Sequence, residues 1–224
     1  MFLTYAIPTA IYLGSAYLLL NNSKSYSYVE TKADELLVGF TGLFKKPLLV
    51  DMSSTPHLLI TGLSGQGKSR MAKTMLLNAR GADIIICNAF KRDYKCVQAR
   101  FINGEVNILN YLKSVLEEPY IRNKTLYIVL EEMMSLKSKE LQNCIKELLC
   151  IARHYNIYVI GIIQIATKEE CKFKSYFNAR LTFKQVDDSA YRVALGTGID
   201  RKLKQQEFAL LTDDLYYGRT YDID

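Results

Sequence analysis

The sequence predicts an α/β domain whose central sheet is mainly parallel and flanked by helices. Short apolar runs alternate with segments of helical periodicity from residue 57 to residue 183, and strands separated by helices favour a parallel sheet. A glycine-rich turn follows the first apolar run, and ligands of such sheets bind where the strands end. Hydrophobic residues make up 49% of the chain and charged residues 23%, which excludes a disordered or collagen-like protein.

The first element is an uncharged apolar segment, Phe2–Leu20. As a helix it would be about 28 Å long, close to the ~30 Å hydrocarbon core of a bilayer. The segment predicts a transmembrane anchor over residues 1–20, with Lys24 and Lys32 placing the rest of the chain in the cytoplasm. A signal peptide would need a positively charged start, which is lacking, whereas a helix buried against the domain stays an alternative. A linker is expected over 21–46, with a short amphipathic helix at Thr31–Phe40, and a folded body over 47–224.

The folded body is expected to contain five strands and two helices. Each strand is a short apolar run, typical of strands covered on both faces. The strands are His57–Thr61, Asp83–Asn88, Leu126–Leu130, Ile157–Ile163 and Ala179–Phe183, and the helices are Lys68–Arg80 and Ser138–His154. In the second helix, apolar residues recur every three or four positions and form one face.

The turn after the first strand of the body fits the pattern G-x-x-x-x-G-K-[ST]. Its residues are Gly62, Leu63, Ser64, Gly65, Gln66, Gly67, Lys68 and Ser69, and Arg70 completes the predicted nucleotide-binding set. Glycines let successive backbone N–H groups point at phosphate oxygens, and the start of the helix adds partial positive charge. Lys68 is expected to reach the β- and γ-phosphates and Ser69 to complete the Mg²⁺ shell. The motif predicts binding of ATP or GTP with Mg²⁺; the alternative is a glycine turn that matches by accident.

Two carboxylates follow the third predicted strand of the body. Glu131 is expected to hold Mg²⁺ and Glu132 to polarise the attacking water. The alternative is that Glu131 caps the following helix while Glu132 is solvated.

Histidine and cysteine usage excludes other site chemistries. The chain has two histidines, so a histidine cluster is excluded. Its five cysteines form no Cys-x-x-Cys pair, which argues against a disulfide framework and a thiolate zinc site. The net charge of +6 permits an anionic partner without establishing one.

From Pro47 onward the sequence resembles the motor domain of FtsK/SpoIIIE-type DNA translocases, members of the FtsK–HerA superfamily. The phosphate loop lies in Pro47–Ala79, which is similar to the start of that motor, and LYIVLEEM is similar to its Walker B strand. Glu147–Gln164 resembles its next helix and strand, and Phe177–Gly198 a later segment that carries an arginine before a strand. The resemblance implies a compact RecA-like P-loop NTPase.

The resemblance also implies roles for single residues. Glu132 would be the catalytic carboxylate, and Gln164 would sense the γ-phosphate from the end of its strand. Arg180 would be an arginine finger that enters the nucleotide site of a neighbouring subunit and neutralises charge on the transferred phosphoryl group. The alternative for Arg180 is a surface arginine paired with Asp187 or Asp188.

Two positions depart from the family pattern. Glu131 replaces the usual aspartate, so the Mg²⁺ geometry is expected to differ by one methylene. The segment Asn88-Ala89-Phe90-Lys91 stands where an Asp-Pro-Lys is usual.

Two basic clusters with interleaved aromatic residues are candidates for contact with DNA phosphates. The first comprises Lys91, Arg92, Lys95 and Arg100, and the second Lys168, Lys172 and Lys174. Together, the resemblance and these clusters lead to the expectation of an ATPase that forms a homo-oligomer, a hexameric ring, and moves double-stranded DNA. With the apolar segment at residues 2–20, the expectation is a single-pass protein of the cell membrane whose ATPase domain lies in the cytoplasm. The alternatives are a phage or plasmid genome-packaging or secretion coupling ATPase, and a regulatory nucleotide-binding protein without motor activity.

Overall fold

The computed structural model describes residues 29–42, 45–117, 122–169 and 171–221. Its ten strands are β1 (Glu35–Thr41), β2 (Lys46–Asp51), β3 (Leu58–Thr61), β4 (Asp83–Cys87), β5 (Arg100–Ile102), β6 (Leu126–Leu130), β7 (Ile157–Ile163), β8 (Ala179–Thr182), β9 (Glu207–Leu211) and β10 (Leu215–Arg219). The α-helices are α1 (Lys68–Asn78), α2 (Glu105–Glu117), α3 (Lys139–Ile151) and α4 (Asp188–Leu195).

All ten strands form one sheet in the order β2-β1-β10-β9-β8-β3-β7-β6-β4-β5. The six strands from β8 to β5 are parallel, and the other four continue the sheet antiparallel. The mainly parallel α/β fold predicted from the sequence is therefore confirmed. Since β7 lies between β3 and β6, the turns that follow these three strands meet at one edge of the sheet.

The parallel strands are buried because helices cover both faces of the sheet. Every residue of β6 and β7 is buried, which explains why their sequences are continuously apolar. On one face, Met71 and Met75 of α1 pack with residues of β1 to β4. On the other, α2, α3 and α4 pack on the sheet through residues such as Leu112, Ile145 and Leu195.

The five strands expected in the body are present to within one residue, whereas the helix predicted at Thr31–Phe40 is wrong. Strand β1 occupies most of that range, inside the range assigned to a linker, and it pairs with β2 and β10. A strand forms here because both of its faces are buried. Leu36 and Val38 belong to one hydrophobic core, while Leu37 and Phe40 pack with Tyr221 on the other side of the sheet. The predicted Ser138–His154 helix is α3 followed by a 3₁₀ turn, Ala152–Tyr155.

The transmembrane anchor predicted over residues 1–20 lies outside the described residues. Within the ranges that the structure describes, none of the helices combines the length and the apolarity that a membrane span needs.

Candidate functional site

A cavity of about 370 Å³ lies at the carboxyl edge of the parallel strands. It brings together the turn after β3, the carboxylates after β6 and the end of β7. It is lined by Ser64, Gly65, Gly67, Lys68, Ser69, Arg70, Glu131, Glu132, Ile162, Gln164, Gln205 and Gln206. Of the predicted site residues, Gly62, Leu63 and Gln66 belong to the same turn without lining the cavity, and Arg180 lies elsewhere.

The turn after β3 has the backbone that its glycines predict. Gly62, Gly65 and Gly67 have φ angles of 145°, 74° and 109°, which other residues rarely adopt. At Gly62 a side chain is also excluded sterically, because a Cβ there would lie 2.7 Å from the Cβ of Phe183. Gly67 provides no side-chain cap for α1, so the first N–H groups of this helix are available to an anion.

Lys68 is held across this turn. Its Nζ donates to the carbonyl oxygens of Gly62 at 2.7 Å and Leu63 at 3.0 Å. Burial lowers the pKa of this ammonium group, whereas the charges of Glu131 and Glu132 act in the opposite direction. The positive charge therefore lies at the mouth of the turn, close to two carboxylates and to the start of α1.

Glu131 is a buried carboxylate, 7% exposed, directly beside the turn. Its side chain is hydrogen-bonded to the hydroxyl of Ser69, and it accepts a hydrogen bond from the hydroxyl of Tyr94. Burial raises the pKa of Glu131, and the hydrogen bonds of Tyr94 and Ser69 and the charge of Lys68 partly oppose this rise. A serine hydroxyl and a carboxylate in contact are the oxygen ligands that Mg²⁺ prefers, so the residues present fit this ion.

Glu132 differs from Glu131 in exposure and in backbone conformation. It is exposed and has a left-handed backbone (φ 46°, ψ 48°) that costs energy in a residue other than glycine. This conformation turns its carboxylate into the cavity, where Oε1 accepts a hydrogen bond from Nε2 of Gln164. The carboxylate of Glu131 thus lies against Tyr94 and that of Glu132 against Gln164, so the two groups are separated as their predicted roles require.

Arg180 does not line the cavity of its own chain. It pairs with Leu59 near the amino end of β3, and its Nη1 donates to the carbonyl of Leu195 at the end of α4, 2.7 Å away. Asp187 instead caps α4 through the backbone N–H of Ala190. The guanidinium group is half-buried, and this burial lowers its pKa.

The first basic cluster lies around a short turn that follows β4, residues 90–95, here called the basic turn. It contains the 3₁₀ segment Lys91–Tyr94, in which Lys91 and Arg92 are exposed. Phe90 is 69% exposed and is contacted by Arg92 at 5.2 Å from its ring centre. The basic turn therefore presents charge and an aromatic surface together.

The second basic cluster is more strongly bound to the protein itself. Lys172 donates to Gln142 at 2.7 Å, and Lys174 to the carbonyl of Val193 at 2.6 Å. Lys168 is exposed.

Three polar residues of the site were not found from the sequence. Tyr94 reaches Glu131 across 37 positions of the chain. Gln205 and Gln206 line the cavity because β9 runs antiparallel to β8, which brings the start of β9 to the carboxyl edge of the parallel strands. No motif in the sequence marks these residues.

The solved structures with a similar fold include the following three. TcpA, a pCW3 conjugation coupling protein solved as a monomer with ATPγS, superposes with a TM-score of 0.75 and 17% identity, covering 89% of this chain and 69% of TcpA. EssC (ATPases 2 and 3) from Geobacillus thermodenitrificans superposes with a TM-score of 0.71 and 15% identity, covering 92% of this chain and 44% of EssC. The third is the genome packaging NTPase B204 of Sulfolobus turreted icosahedral virus 2, solved in complex with AMPPCP. It superposes with a TM-score of 0.55 and 13% identity, covering 76% of this chain and all of B204.

At these identities the similarity concerns the fold. No protein-family model matches the chain, and no curated protein matches its sequence. The chain therefore shares the fold of these ATPase domains, and this fold agrees with the resemblance found in its sequence.

Proposed function

We propose that the chain is a P-loop ATPase that works as a homo-oligomeric ring and moves double-stranded DNA. One observation carries this proposal. Lys68, Ser69, Glu131, Glu132 and Gln164, which come from three separate segments, line one cavity at the carboxyl edge of the sheet. These are the groups that phosphoryl transfer from a nucleoside triphosphate to water requires.

The geometry of the turn supports nucleotide binding. The N–H groups of the turn and of the start of α1 would surround the triphosphate, and Lys68 would neutralise part of its charge. Ser69 and Glu131 would hold Mg²⁺, which when bound supplies positive charge to the phosphate oxygens.

Hydrolysis requires a group that orients the attacking water. Glu132 is exposed to the cavity and so can accept a proton from water placed in line with the γ-phosphate. Gln164 holds the Glu132 carboxylate by its amide, and exchange of this hydrogen bond for one to the γ-phosphate would free Glu132 for catalysis.

Contact with DNA is assigned to the basic turn. Lys91 and Arg92 are exposed there beside Phe90, and cationic side chains bind phosphates without reading the base sequence. The second cluster is a weaker candidate, because two of its three lysines bind other parts of the chain.

Arg180 is assigned to catalysis in a neighbouring subunit. It lies outside its own cavity, as an arginine acting on a neighbour would. A mixture of Lys68→Ala and Arg180→Ala chains, each inactive alone, should regain part of the turnover, because an intact cavity then meets an intact arginine. No recovery would exclude this role.

Residues 2–20 are proposed to anchor the protein in the cell membrane, with the ATPase domain in the cytoplasm. This part rests on the uncharged apolar sequence and on the lysines that follow it. The expected result is recovery of the full chain in the membrane fraction after a carbonate wash, whereas release into the soluble fraction would contradict it.

A second candidate is a coupling ATPase for conjugation, secretion or genome packaging. It is favoured by the similarity to TcpA, a conjugation coupling protein, and to the packaging NTPase B204. Both candidates use the same cavity, and they differ in the structure to which the DNA is delivered.

The proposal is tested by the ATP turnover of the full chain, with and without duplex DNA, at low and high salt. We expect duplex DNA to stimulate turnover, and less so at high salt, because cationic contacts to phosphates weaken as salt rises. Lys68→Ala should abolish turnover, and Lys73→Ala, a change on the same helix outside the cavity, should not. Turnover indifferent to DNA would instead favour a regulatory ATPase, and no turnover at all would refute the assignment.

A further inference from the structure

The hydrogen bond between Tyr94 and Glu131 joins two parts of the molecule with different proposed roles. Tyr94 belongs to the basic turn, and Glu131 borders the cavity. Both side chains are buried, Tyr94 being 1% exposed. The tyrosine hydroxyl donates to Oε1 of the carboxylate, while the Ser69 hydroxyl bonds the same side chain.

Tyr94 is built to keep a fixed position. Its ring packs edge-on against Phe101 of β5, with 6.4 Å between the ring centres, and it belongs to the core beneath α1. Its backbone carbonyl accepts from Val97 at 3.1 Å, and Asp93 donates to Phe90 at 3.0 Å. These contacts hold the ring in the core and close the basic turn around the tyrosine, so a movement of the turn would displace the hydroxyl.

Glu131 needs such a partner more than an aspartate would. Glutamate has one more rotatable bond, so more conformational freedom must be removed before its carboxylate can act as a ligand. A buried carboxylate also requires hydrogen-bond donors. When Ser69 turns its oxygen toward a metal ion, Tyr94 remains to orient Oε1.

We propose that Tyr94 is a positioning residue, which holds Glu131 in place for Mg²⁺ and makes the basic turn and the metal site move together. This inference rests on the proposed function, because it assumes that the cavity binds a nucleotide with Mg²⁺. By linkage, a partner bound at the basic turn would change the affinity for Mg²⁺-nucleotide, and the nucleotide would change the affinity for that partner equally.

The first experiment measures binding of a fluorescent, non-hydrolysable ATP analogue to the full chain as Mg²⁺ is titrated. Tyr94→Phe removes only the hydroxyl and should raise the Mg²⁺ concentration at half-saturation about tenfold, the usual effect of losing a group that orients a metal ligand. Affinity without Mg²⁺ should stay within twofold. Tyr127→Phe is the matched control, since the hydroxyl of this buried tyrosine donates to the carbonyl of Ala33, away from the cavity.

The second experiment follows the basic turn itself. Cys96 is exposed two positions after Tyr94 and can carry an environment-sensitive dye. The other exposed cysteine of the described residues, Cys150, is replaced by serine. Adding the Mg²⁺-analogue should change the dye emission in the otherwise wild-type chain, and this change should be lost in Tyr94→Phe at saturating Mg²⁺ and nucleotide.

The outcomes separate this inference from the proposed function. A half-saturation within twofold of wild type, or a dye response that survives in Tyr94→Phe, would overturn the role of Tyr94 while leaving the nucleotide site intact. A wild-type chain that binds no nucleotide would instead refute the proposed function. A shifted Mg²⁺ dependence together with a lost dye response would support the inference.

Discussion

His57 makes a prediction about stability that is independent of the cavity. It lies just before β3, at the opposite edge of the sheet, and its ring is 1% exposed. Nδ1 accepts a hydrogen bond from the backbone N–H of Val159 at 3.0 Å, and burial lowers the pKa of the imidazole to about 4. An unfolded histidine has a pKa near 6.5, so the unfolded chain binds more protons between pH 6.5 and pH 4. Stability should therefore fall as the pH falls through this window.

The expected loss follows from the difference between the two pKa values. At 1.36 kcal/mol per pKa unit, His57 alone should lower the free energy of unfolding by roughly 2 kcal/mol between pH 7 and pH 4.5. Urea unfolding followed by circular dichroism at both pH values measures it. Carboxylates also titrate there, so the loss is read as the difference between wild type and a variant without this histidine.

His57→Asn is the informative variant, because asparagine tolerates the φ of 66° at this position and retains an acceptor. Its stability should decline less than that of wild type over the same pH range, by the stated amount. His154→Asn, which replaces the exposed histidine, should decline as wild type does. If the pH dependence of His57→Asn equals that of wild type, the reasoning about the buried imidazole is wrong.

Three further predictions concern the cavity and the basic turn. Glu132→Gln should bind nucleotide as wild type does but hydrolyse it about 10²- to 10⁴-fold more slowly, because the water loses its base, as phosphate release would show. Gly62→Ala should lower the free energy of unfolding by about 1–3 kcal/mol in urea titrations, since the new Cβ would collide with Phe183. Replacing Lys91 and Arg92 by alanine should reduce the slope of log K against log salt for duplex DNA by about 2.

Each of these has a contrary result, and the last two have a matched control. If the turnover of Glu132→Gln is within threefold of wild type, Glu132 is excluded as the catalytic base. For Gly62→Ala, the control is Gly81→Ala, where φ is also positive (77°) but no atom lies within 4 Å of the new Cβ; equal losses would exclude the steric argument. For the basic turn, the control is the exposed pair Lys139 and Lys146, both replaced by alanine; an equal change in slope would show that location does not matter.

The parts of the fold that the sequence predicts are those determined by local pattern. Leu126–Leu130 and Ile157–Ile163 have the bounds expected because burial on both faces requires continuous apolar residues. The phosphate loop is equally local, since its glycines, lysine and serine are consecutive. Glu131 and Glu132 were found because they come just after a recognisable strand, and Gln164 because its segment resembles that of the FtsK-type motor.

The remaining parts depend on pairing between distant segments. Strand β1 reads as a short helix until its partners β2 and β10 are known. Tyr94 becomes part of the site because a 3₁₀ turn carries it beneath the end of β6, and Gln205 joins it because β9 reverses direction. These contacts are tertiary, and no spacing of residues along the chain encodes them.

The central claim is that hydrolysis at this cavity drives movement along DNA. Displacement of a third strand from a triplex placed on a long duplex measures that movement directly. The account predicts displacement with ATP and none with Lys68→Ala or with a non-hydrolysable analogue. DNA-stimulated ATP turnover without any displacement would contradict it.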